Sequence, residues 1–277
     1  MSTIFTFPGK SGDAILQWPI AYHWARQKDQ KITCWLDEKT CGLVENLFRG
    51  QPCVEAVEMK PGIEHWNCGG QPWHFGLETK DFDGHTVYHL GLRAFPQRQI
   101  TLETMERSKA VVVDQHELAE TPSIVAPAWE PKNRLVLHGQ TVYGHTKSSP
   151  GFWKFLTSIR KDIEERFDEV VWVGSARDRE VGVRTYPEWK DFDDQGDFMN
   201  LAGLIGGSKL VIGVGSSVVA LAGAMKVPCI RVHDPIGQNS KVIWSNLGQN
   251  QINDTEVELR KSWPSFRDQW ARSEVGV

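Results

Sequence analysis

The stretch LVIGVGSSVVALAGAMKVPCIRV, from Leu210 to Val232, predicts one βαβ unit and with it an α/β fold. Leu210–Val214 is an apolar run typical of a buried strand, Val218–Met225 fits a helix of small side chains, and Val227–Val232 fits a second buried strand. The turn Gly215-Ser216-Ser217 comes directly before the helix, where backbone N–H groups lack intrahelical partners and the helix dipole is positive. It is therefore a candidate phosphate site with two hydroxyl donors, or else an ordinary turn whose serine only caps the helix.

The N-terminal residues predict a second loop at the end of a strand. Ile4–Phe7 is typical of a strand, Pro8–Gly12 of a glycine-containing loop, and the helix that follows has Asp13 at or near its start. Ligands bind at the carboxyl ends of strands in open α/β sheets, so this loop is a candidate site. Asp13 then has two interpretations, a cap for the helix N–H groups or a general base facing the ligand. The patterns GxxxxGK[ST] and GxGxxG are absent from the sequence, which argues against an NTPase or a dinucleotide enzyme.

Strands and helices alternate on both sides of a proline-rich boundary, which predicts doubly wound parallel sheets in two halves with a cleft between them. The prolines of Thr121–Asn133 predict a first domain of residues 1–128 and a second of residues 129–277. Pro61–Phe82 interrupts the alternation and predicts a long surface loop, and Thr255–Trp270 predicts an amphipathic tail helix. The other predicted strands are Lys31–Leu36, Cys53–Met59, Thr86–Leu90, Ala110–Val113, Arg134–His138 and Glu169–Val173, and the other predicted helices are Thr40–Phe48, Phe152–Arg166 and Phe198–Ile205.

Composition limits the classes of function. A length of 277 residues suits two α/β halves, and no apolar run reaches the ~18 residues of a membrane span. A net charge of −4 without a block of lysines and arginines argues against tight DNA binding. The five cysteines have no repeated spacing and the N-terminus lacks the pattern of a signal peptide, so we expect reduced thiols in the cytoplasm.

Four motifs follow one another along both halves. They are FPGKSGDAILQWP at 7–19, LVLHG at 135–139 followed by Thr141, Lys147 and Trp153, VVWVG at 170–174 with RDRE at 177–180, and the helix at 198–208. In type and order these motifs resemble glycosyltransferase family nine, the heptosyltransferases. The resemblance does not extend across residues 61–128, where acceptor recognition would lie.

This resemblance implies a GT-B fold, in which two Rossmann-like domains face each other across a cleft and the C-terminal tail packs back on the first domain. It implies transfer of a sugar from a nucleotide-sugar to a saccharide hydroxyl, such as one in lipopolysaccharide core, with inversion and without a required metal. Asp13 would be the base that deprotonates the acceptor. The donor-side positions would be Thr141, Lys147, Gly215, Ser216 and Ser217 at the phosphates, Trp172, Gly174 and Asp178 at the nucleoside, and Gly12 in the first loop.

The chemistry of sugar transfer requires the same kinds of functional group as those that the resemblance implies. Negative charge develops on the nucleoside diphosphate as it leaves. Without a metal, that charge must be stabilised by N–H groups, hydroxyls and a cation. The serines of the turn and Lys147 are candidates for this task. An acceptor hydroxyl needs a carboxylate or an imidazole within hydrogen-bond reach, and Asp13 is the candidate.

Two histidines lie at the ends of predicted strands, and each has more than one possible role. His138 is a candidate hydrogen-bond donor or second base, or a satisfied histidine in a packed loop. His233 contacts the nucleotide or belongs to a turn. The group His65, Cys68 and His74 matches no standard zinc spacing, so we expect no metal and no cofactor other than the nucleotide-sugar co-substrate.

The phosphate turn departs from the family pattern. That pattern reads Asp-Thr-Gly with a histidine on the first helical turn, whereas this chain has Gly215-Ser216-Ser217 and Ala220. The donor is therefore expected to differ from the heptose nucleotide of the family. Three alternatives stay open, namely transfer to a hydroxymethylated base in viral DNA, a non-catalytic nucleotide-sugar binding module, and a sugar-nucleotide epimerase.

Overall fold

The computed structural model describes residues 3–63, 77–82, 85–90, 122–127, 129–139, 150–214, 216–233 and 250–253. Two separate sheets organise these residues, one of five strands and one of six. The five-stranded sheet uses only strands before residue 91, and the six-stranded sheet uses only strands after residue 133. Among the helices of the described ranges, none is both long and apolar enough to cross a membrane.

The first sheet has the order β3-β2-β1-β5-β4. Its neighbours pair in parallel except β4 and β5, which are antiparallel. Strands β1 and β2 are buried at every position, as expected for strands covered on both faces. The elements are β1 (Thr3–Phe7), α1 (Ser11–Lys28), β2 (Ile32–Asp37), a 3₁₀ turn (Gly42–Val44), α2 (Glu45–Arg49), β3 (Val54–Lys60), β4 (Leu77–Phe82) and β5 (His85–Leu90).

The second sheet is parallel throughout and has the order β11-β10-β9-β6-β7-β8. The chain leaves β6 for β7 on one side and returns to β9 on the other, so the strand order reverses between β6 and β9. Open α/β sheets bind ligands at such a switch point. The elements are β6 (Arg134–His138), α3 (Pro150–Arg166), β7 (Glu169–Trp172), α4 (Ala176–Thr185), β8 (Lys190–Asp191), α5 (Phe198–Gly206), β9 (Leu210–Val214), α6 (Ser217–Ala224), β10 (Cys229–His233) and β11 (Asn250–Asn253).

Helix α1 of the first half packs against α6 of the second. One hydrophobic core continues through this contact, from Trp18 of α1 to Leu221 of α6. The extended segment that begins at residue 122 connects the same two helices, because Trp18 Nε1 donates to the Ser123 carbonyl at 2.7 Å and Ser123 N donates to the Ala224 carbonyl at 2.8 Å. The loops at the starts of α1 and α6 are therefore held in a fixed relation.

The central βαβ unit is confirmed, with β9 at the predicted bounds and α6 beginning one residue early at Ser217. Two predictions in the first half are wrong. Thr40–Phe48 is not one helix, because Thr40 instead forms hydrogen bonds to the loop after β1 and helical structure begins only at Gly42. Pro61–Phe82 is not loop throughout, because Leu77–Phe82 pairs with β5 as an edge strand. Its polar sequence LETKDF gives little local strand signal, so pairing decides its structure.

Helix α4 was not predicted, although Ser175 supplies an N-cap by accepting a hydrogen bond from Asp178 N. The predicted strand Ala110–Val113, the tail helix Thr255–Trp270 and the group His65, Cys68 and His74 lie outside the described residues. The domain boundary after residue 128 stays a prediction.

Candidate functional site

A cavity of about 850 Å³ opens at the carboxyl ends of the parallel strands of both sheets. Its walls come from the loops after β1 and β2 of the first sheet and from those after β6, β7, β8 and β9 of the second. The volume suits a small-molecule ligand. Both loops singled out in the sequence, at Gly12-Asp13 and at Ser216-Ser217, border this one cavity.

Asp13 lies in the first turn of α1, and its carboxylate caps the helix. Its Oδ2 accepts a 2.9 Å hydrogen bond from the backbone N–H of Lys10. Gly9 allows this arrangement, because its φ of 103° is left-handed and a Cβ there would lie 2.7 Å from Asp13 Oδ2. The hydrogen bond from Lys10 N–H orients the Asp13 carboxylate. It uses one of the about four lone-pair sites that a carboxylate has.

The loop after β2 braces the loop that carries Asp13. The Thr40 hydroxyl lies 2.7 Å from the Gly9 carbonyl oxygen, and the Ser11 hydroxyl donates in return to the Thr40 carbonyl at 3.0 Å. Cys41 adds a longer contact from its thiol to the Gly9 carbonyl, at 3.6 Å. Burial raises the pKa of Cys41 to about 11, so this thiol stays neutral near pH 7. These contacts hold the Asp13 end of the cavity in one geometry.

The start of α6 forms another part of the cavity wall. Ser216 occupies the N-cap position in an extended conformation, but its side chain makes no capping hydrogen bond. Its Oγ is shielded from solvent and lacks a hydrogen-bond partner among the described residues. The cap interpretation of this serine is therefore wrong for its hydroxyl, which is left available to a ligand at the N-terminal end of the helix.

His138 ends β6 at the switch point and is 4% exposed. Its Nε2 lies 3.8 Å from Asp178 Oδ2, while its Nδ1 has no hydrogen-bond partner in the part of the chain that is described. Gly174 has a φ of 120°, and a Cβ there would lie 2.7 Å from His138 Cδ2. Gly213, the partner of His138 across the sheet, approaches the base of the same residue, because its Cβ would lie 3.4 Å from His138 Cβ. The imidazole itself is therefore in close contact with the backbone of Gly174.

Ser175 holds the Asp178 carboxylate in place, because its backbone N–H and its hydroxyl donate to Asp178 Oδ2 at 3.1 Å and 2.8 Å. Burial pushes the pKa of Asp178 upward, but the nearby His138 imidazole and the Ser175 hydrogen bonds outweigh it, so the pKa lies below its usual value. Asp178 is therefore a carboxylate near pH 7. Its Oδ1 is buried and lacks a partner among the described residues.

Arg179 fixes the loop between β7 and α4. Its Nε donates to the Gly174 carbonyl at 3.2 Å, and its guanidinium pairs with Asp191 at 2.8 Å and with Asp193 at 3.2 Å. Asp194 also borders the cavity. Burial raises the pKa of Asp194.

The structure brings seven predicted site residues to the cavity wall, and these are Gly12, Asp13, His138, Gly174, Asp178, Ser216 and Ser217. Trp172 departs from its expected place on the nucleoside side. Its indole is 1% exposed in the core of the second half, stacked near Tyr186 and covered by Gly182. Thr141, Lys147 and Gly215 lie outside the described residues, and of His233 only the backbone, at the end of β10, is described.

Several cavity residues had not been singled out from the sequence. The charged ones are Lys10, Glu38, Lys39, Arg179, Asp193 and Asp194. The sequence signal that could have found them is their position, since each follows closely on the carboxyl end of a parallel strand or starts the next helix. No cluster of potential metal ligands occurs among the described residues.

Comparison with solved structures identifies the fold. The chain superposes on Escherichia coli heptosyltransferase WaaC with ADP at a TM-score of 0.66, with 14% identity, 98% of this chain and 100% of that chain covered. It superposes on E. coli ADP-heptose lipopolysaccharide heptosyltransferase II at 0.61, with 12% identity and coverage of 99% and 100%. For the family nine glycosyltransferase from Veillonella parvula the TM-score is 0.60, with 12% identity and coverage of 95% and 88%.

No protein-family model matches the sequence, and no curated protein matches it either. The three-dimensional similarity is therefore found at a sequence identity of only 12–14%. It confirms the expected GT-B fold of the heptosyltransferases.

Proposed function

We propose that this protein is a glycosyltransferase that moves a sugar from a nucleoside-diphosphate sugar to an acceptor hydroxyl, with inversion and without a required metal. The observation that carries the proposal is the cavity that both the Asp13 carboxylate and the start of α6 border. A base and a site for an anionic leaving group are the two things that such a transfer needs. The GT-B fold supports the same reaction class.

Asp13 is the proposed base. Its first-turn position and the cap from Lys10 N–H fix the carboxylate at the cavity wall. A carboxylate there is placed to accept the proton of an acceptor hydroxyl as that oxygen attacks the anomeric carbon. Attack from the face opposite to the leaving group gives inversion.

The diphosphate side is proposed at the start of α6. Ser216 and Ser217 offer hydroxyls there, and the first N–H groups of the helix offer donors with the positive end of the dipole. His138 and Asp178 lie at the same end of the sheet and complete the donor side. The predicted contributions of Thr141, Lys147, Gly215 and His233 belong to this proposal as well.

Donor and acceptor identity are proposed only as classes. Two similar proteins are heptosyltransferases solved with ADP or named for ADP-heptose, which makes ADP-sugars the first donors to test. The position aligned with the family histidine is Ala220, whose side chain is completely buried in the shared core. No side chain at that position faces the cavity, which supports a sugar other than the usual heptose. A saccharide hydroxyl such as one in lipopolysaccharide core is the proposed acceptor.

The test is release of nucleoside diphosphate from a panel of ADP-, UDP- and GDP-sugars in the presence of lipopolysaccharide core saccharides. We expect one donor to be turned over, with inverted configuration in the product by NMR and undiminished rate in EDTA. Asp13→Asn is expected to abolish transfer while donor affinity is kept. Asp162→Asn on α3, away from the cavity, is the matched control. Failure of every donor to bind or react would overturn the proposal.

A non-catalytic nucleotide-sugar binding module is the second candidate. It is favoured by Ala220 in place of the family histidine and by Gly215 in place of the acidic residue at the turn. Tight donor binding without turnover in the same panel would select it. Modified DNA as acceptor has no support from the described residues or from the similar structures reported above, and we do not propose it.

A further inference from the structure

We infer that donor binding is coupled to protonation of His138, which then acts as the cation for the donor diphosphate. The inference rests on the proposed function and concerns the same cavity. It starts from the buried His138 imidazole, which lies against Gly174 and beside Asp178 at the switch point of the second sheet.

The geometry leaves one edge of the imidazole unused. Nε2 lies toward Asp178 Oδ2 at 3.8 Å, and Nδ1, shielded from solvent, has no hydrogen-bond partner in the described ranges. Buried polar atoms in native proteins almost always have partners, so one without a partner at a cavity is expected to meet a ligand. The Ser216 hydroxyl, also without a partner there, borders the same cavity at the adjacent strand end.

An anion is the ligand that suits both groups. When the proton of the neutral imidazole is on Nε2, the ring atom 3.8 Å from Asp178 Oδ2, Nδ1 is only an acceptor. A phosphate oxygen is an acceptor too, so Nδ1 can form a hydrogen bond to it only when Nδ1 carries a proton. The imidazolium then lies between two anions, Asp178 and phosphate, both of which favour the charged form. One proton is taken up from solvent as the diphosphate binds.

The charges around His138 permit this assignment. On α4, Asp178 faces the imidazole, whereas Arg179 is already paired with Asp191 and Asp193. From β9 the neutral Gly213 lies beside His138, and the N-terminal end of α6, where the helix dipole is positive, borders the cavity. The other charged groups that border the cavity are Lys10, Asp13, Glu38, Lys39, Asp193 and Asp194.

The test is calorimetry of the unmodified protein with ADP, UDP and GDP at pH ~7.5, in two buffers that differ in ionisation enthalpy. We expect the nucleotide that binds to take up protons, up to one for each molecule bound. His138→Gln, which keeps a polar amide but cannot carry charge, is expected to lose the uptake and to bind about tenfold or more weakly. His85→Gln on β5 is the matched control and is expected to change neither quantity.

Asp178 is a positioning residue in this account. Asp178→Asn is expected to reduce the proton uptake and to shift the ¹⁵N signals of the His138 ring, which a purely structural loss would not do. Nucleotide binding without proton uptake, or an unchanged affinity in His138→Gln, overturns the inference and leaves the proposed function standing. If none of the three nucleotides binds the unmodified protein, both the inference and the proposed function fail. The uptake measurement needs no variant, so a misfolded His138→Gln protein does not prevent the test.

Discussion

Gly12 of α1 lies directly against Ser217 of α6. A Cβ built on Gly12 would be 3.4 Å from the N, Cα and Cβ atoms of Ser217. The two loops that the sequence marked as separate candidate sites therefore meet through backbone contact. The absence of a side chain at Gly12 sets the distance between the proposed base and the proposed diphosphate site.

This contact predicts a size threshold at Gly12. Alanine should be tolerated within about 1 kcal/mol, because 3.4 Å is an acceptable contact and alanine favours the helix. Gly12→Val should force α1 and α6 apart and cost about 1–3 kcal/mol of unfolding free energy. Urea denaturation measures both. Gly42→Val is the control, since a Cβ on Gly42 meets nothing within 4 Å, and an equal loss there would contradict the explanation.

Gly174→Ala should displace His138. The left-handed φ of 120° and the 2.7 Å approach to His138 Cδ2 should together cost about 1–3 kcal/mol and weaken nucleotide binding. Gly196→Ala separates the two causes, because it has a φ of 71° but its nearest Cβ neighbour, Leu43, is at 3.6 Å. We expect Gly196→Ala to lose stability while nucleotide affinity in a thermal-shift titration is retained. An equal loss of nucleotide affinity in both variants would contradict the explanation that Gly174→Ala acts by displacing the His138 side chain.

Ser216 and Ser175 should respond in opposite ways to alanine. The Ser216 hydroxyl lacks a partner in the described part of the chain, so Ser216→Ala should leave the unfolding free energy within about 0.5 kcal/mol. It should weaken diphosphate binding about three- to tenfold by removing one donor. Ser175→Ala removes the cap of α4 and should cost about 1 kcal/mol of stability. A stability loss in Ser216→Ala would show that its hydroxyl does cap α6.

Glu169 should contribute stability that depends on pH. It is 13% exposed at its side chain and pairs with the buried Arg134 and with Lys190. Burial raises its pKa, but the Lys190 and Arg134 partners outweigh that effect and leave the pKa below its usual value. A lowered folded-state pKa means that the stabilisation is complete above the unfolded value of about 4.3 and is lost as the pH falls through the folded value.

Glu169→Gln should accordingly cost about 3 kcal/mol near pH 7, because the Arg134 charge is left buried without its carboxylate. The difference from the unmodified protein should shrink below pH ~4. Glu164→Gln breaks an exposed pair with Arg160 and should cost less than about 0.5 kcal/mol. Denaturation curves at several pH values measure the free energy of unfolding of each variant. If the difference between Glu169→Gln and the unmodified protein does not depend on pH, the Glu169 carboxylate is not the source of the stabilisation.

The α/β class, the central βαβ unit and the positions of the two site loops could be predicted from the amino-acid sequence alone. These features are encoded locally: an apolar run of five residues at Leu210–Val214, small polar residues at the turn, and Gly12-Asp13 after the first strand. A strand buried on both faces and a helix start are recognisable without knowing what surrounds them. The Asp13 cap was one of two local interpretations, and its hydrogen bond from Lys10 N–H confirmed it.

Other features could not be predicted from local sequence, because they depend on contacts between residues that are distant in the chain. Strand β4 exists through its pairing with β5, and Trp172 lies in the core because Gly182 leaves room for its ring. The same holds for the pairing of His138 with Asp178 across a strand end. The sequence marked Gly12 and Ser217 as members of two loops, and packing of α1 on α6 made them neighbours in one cavity.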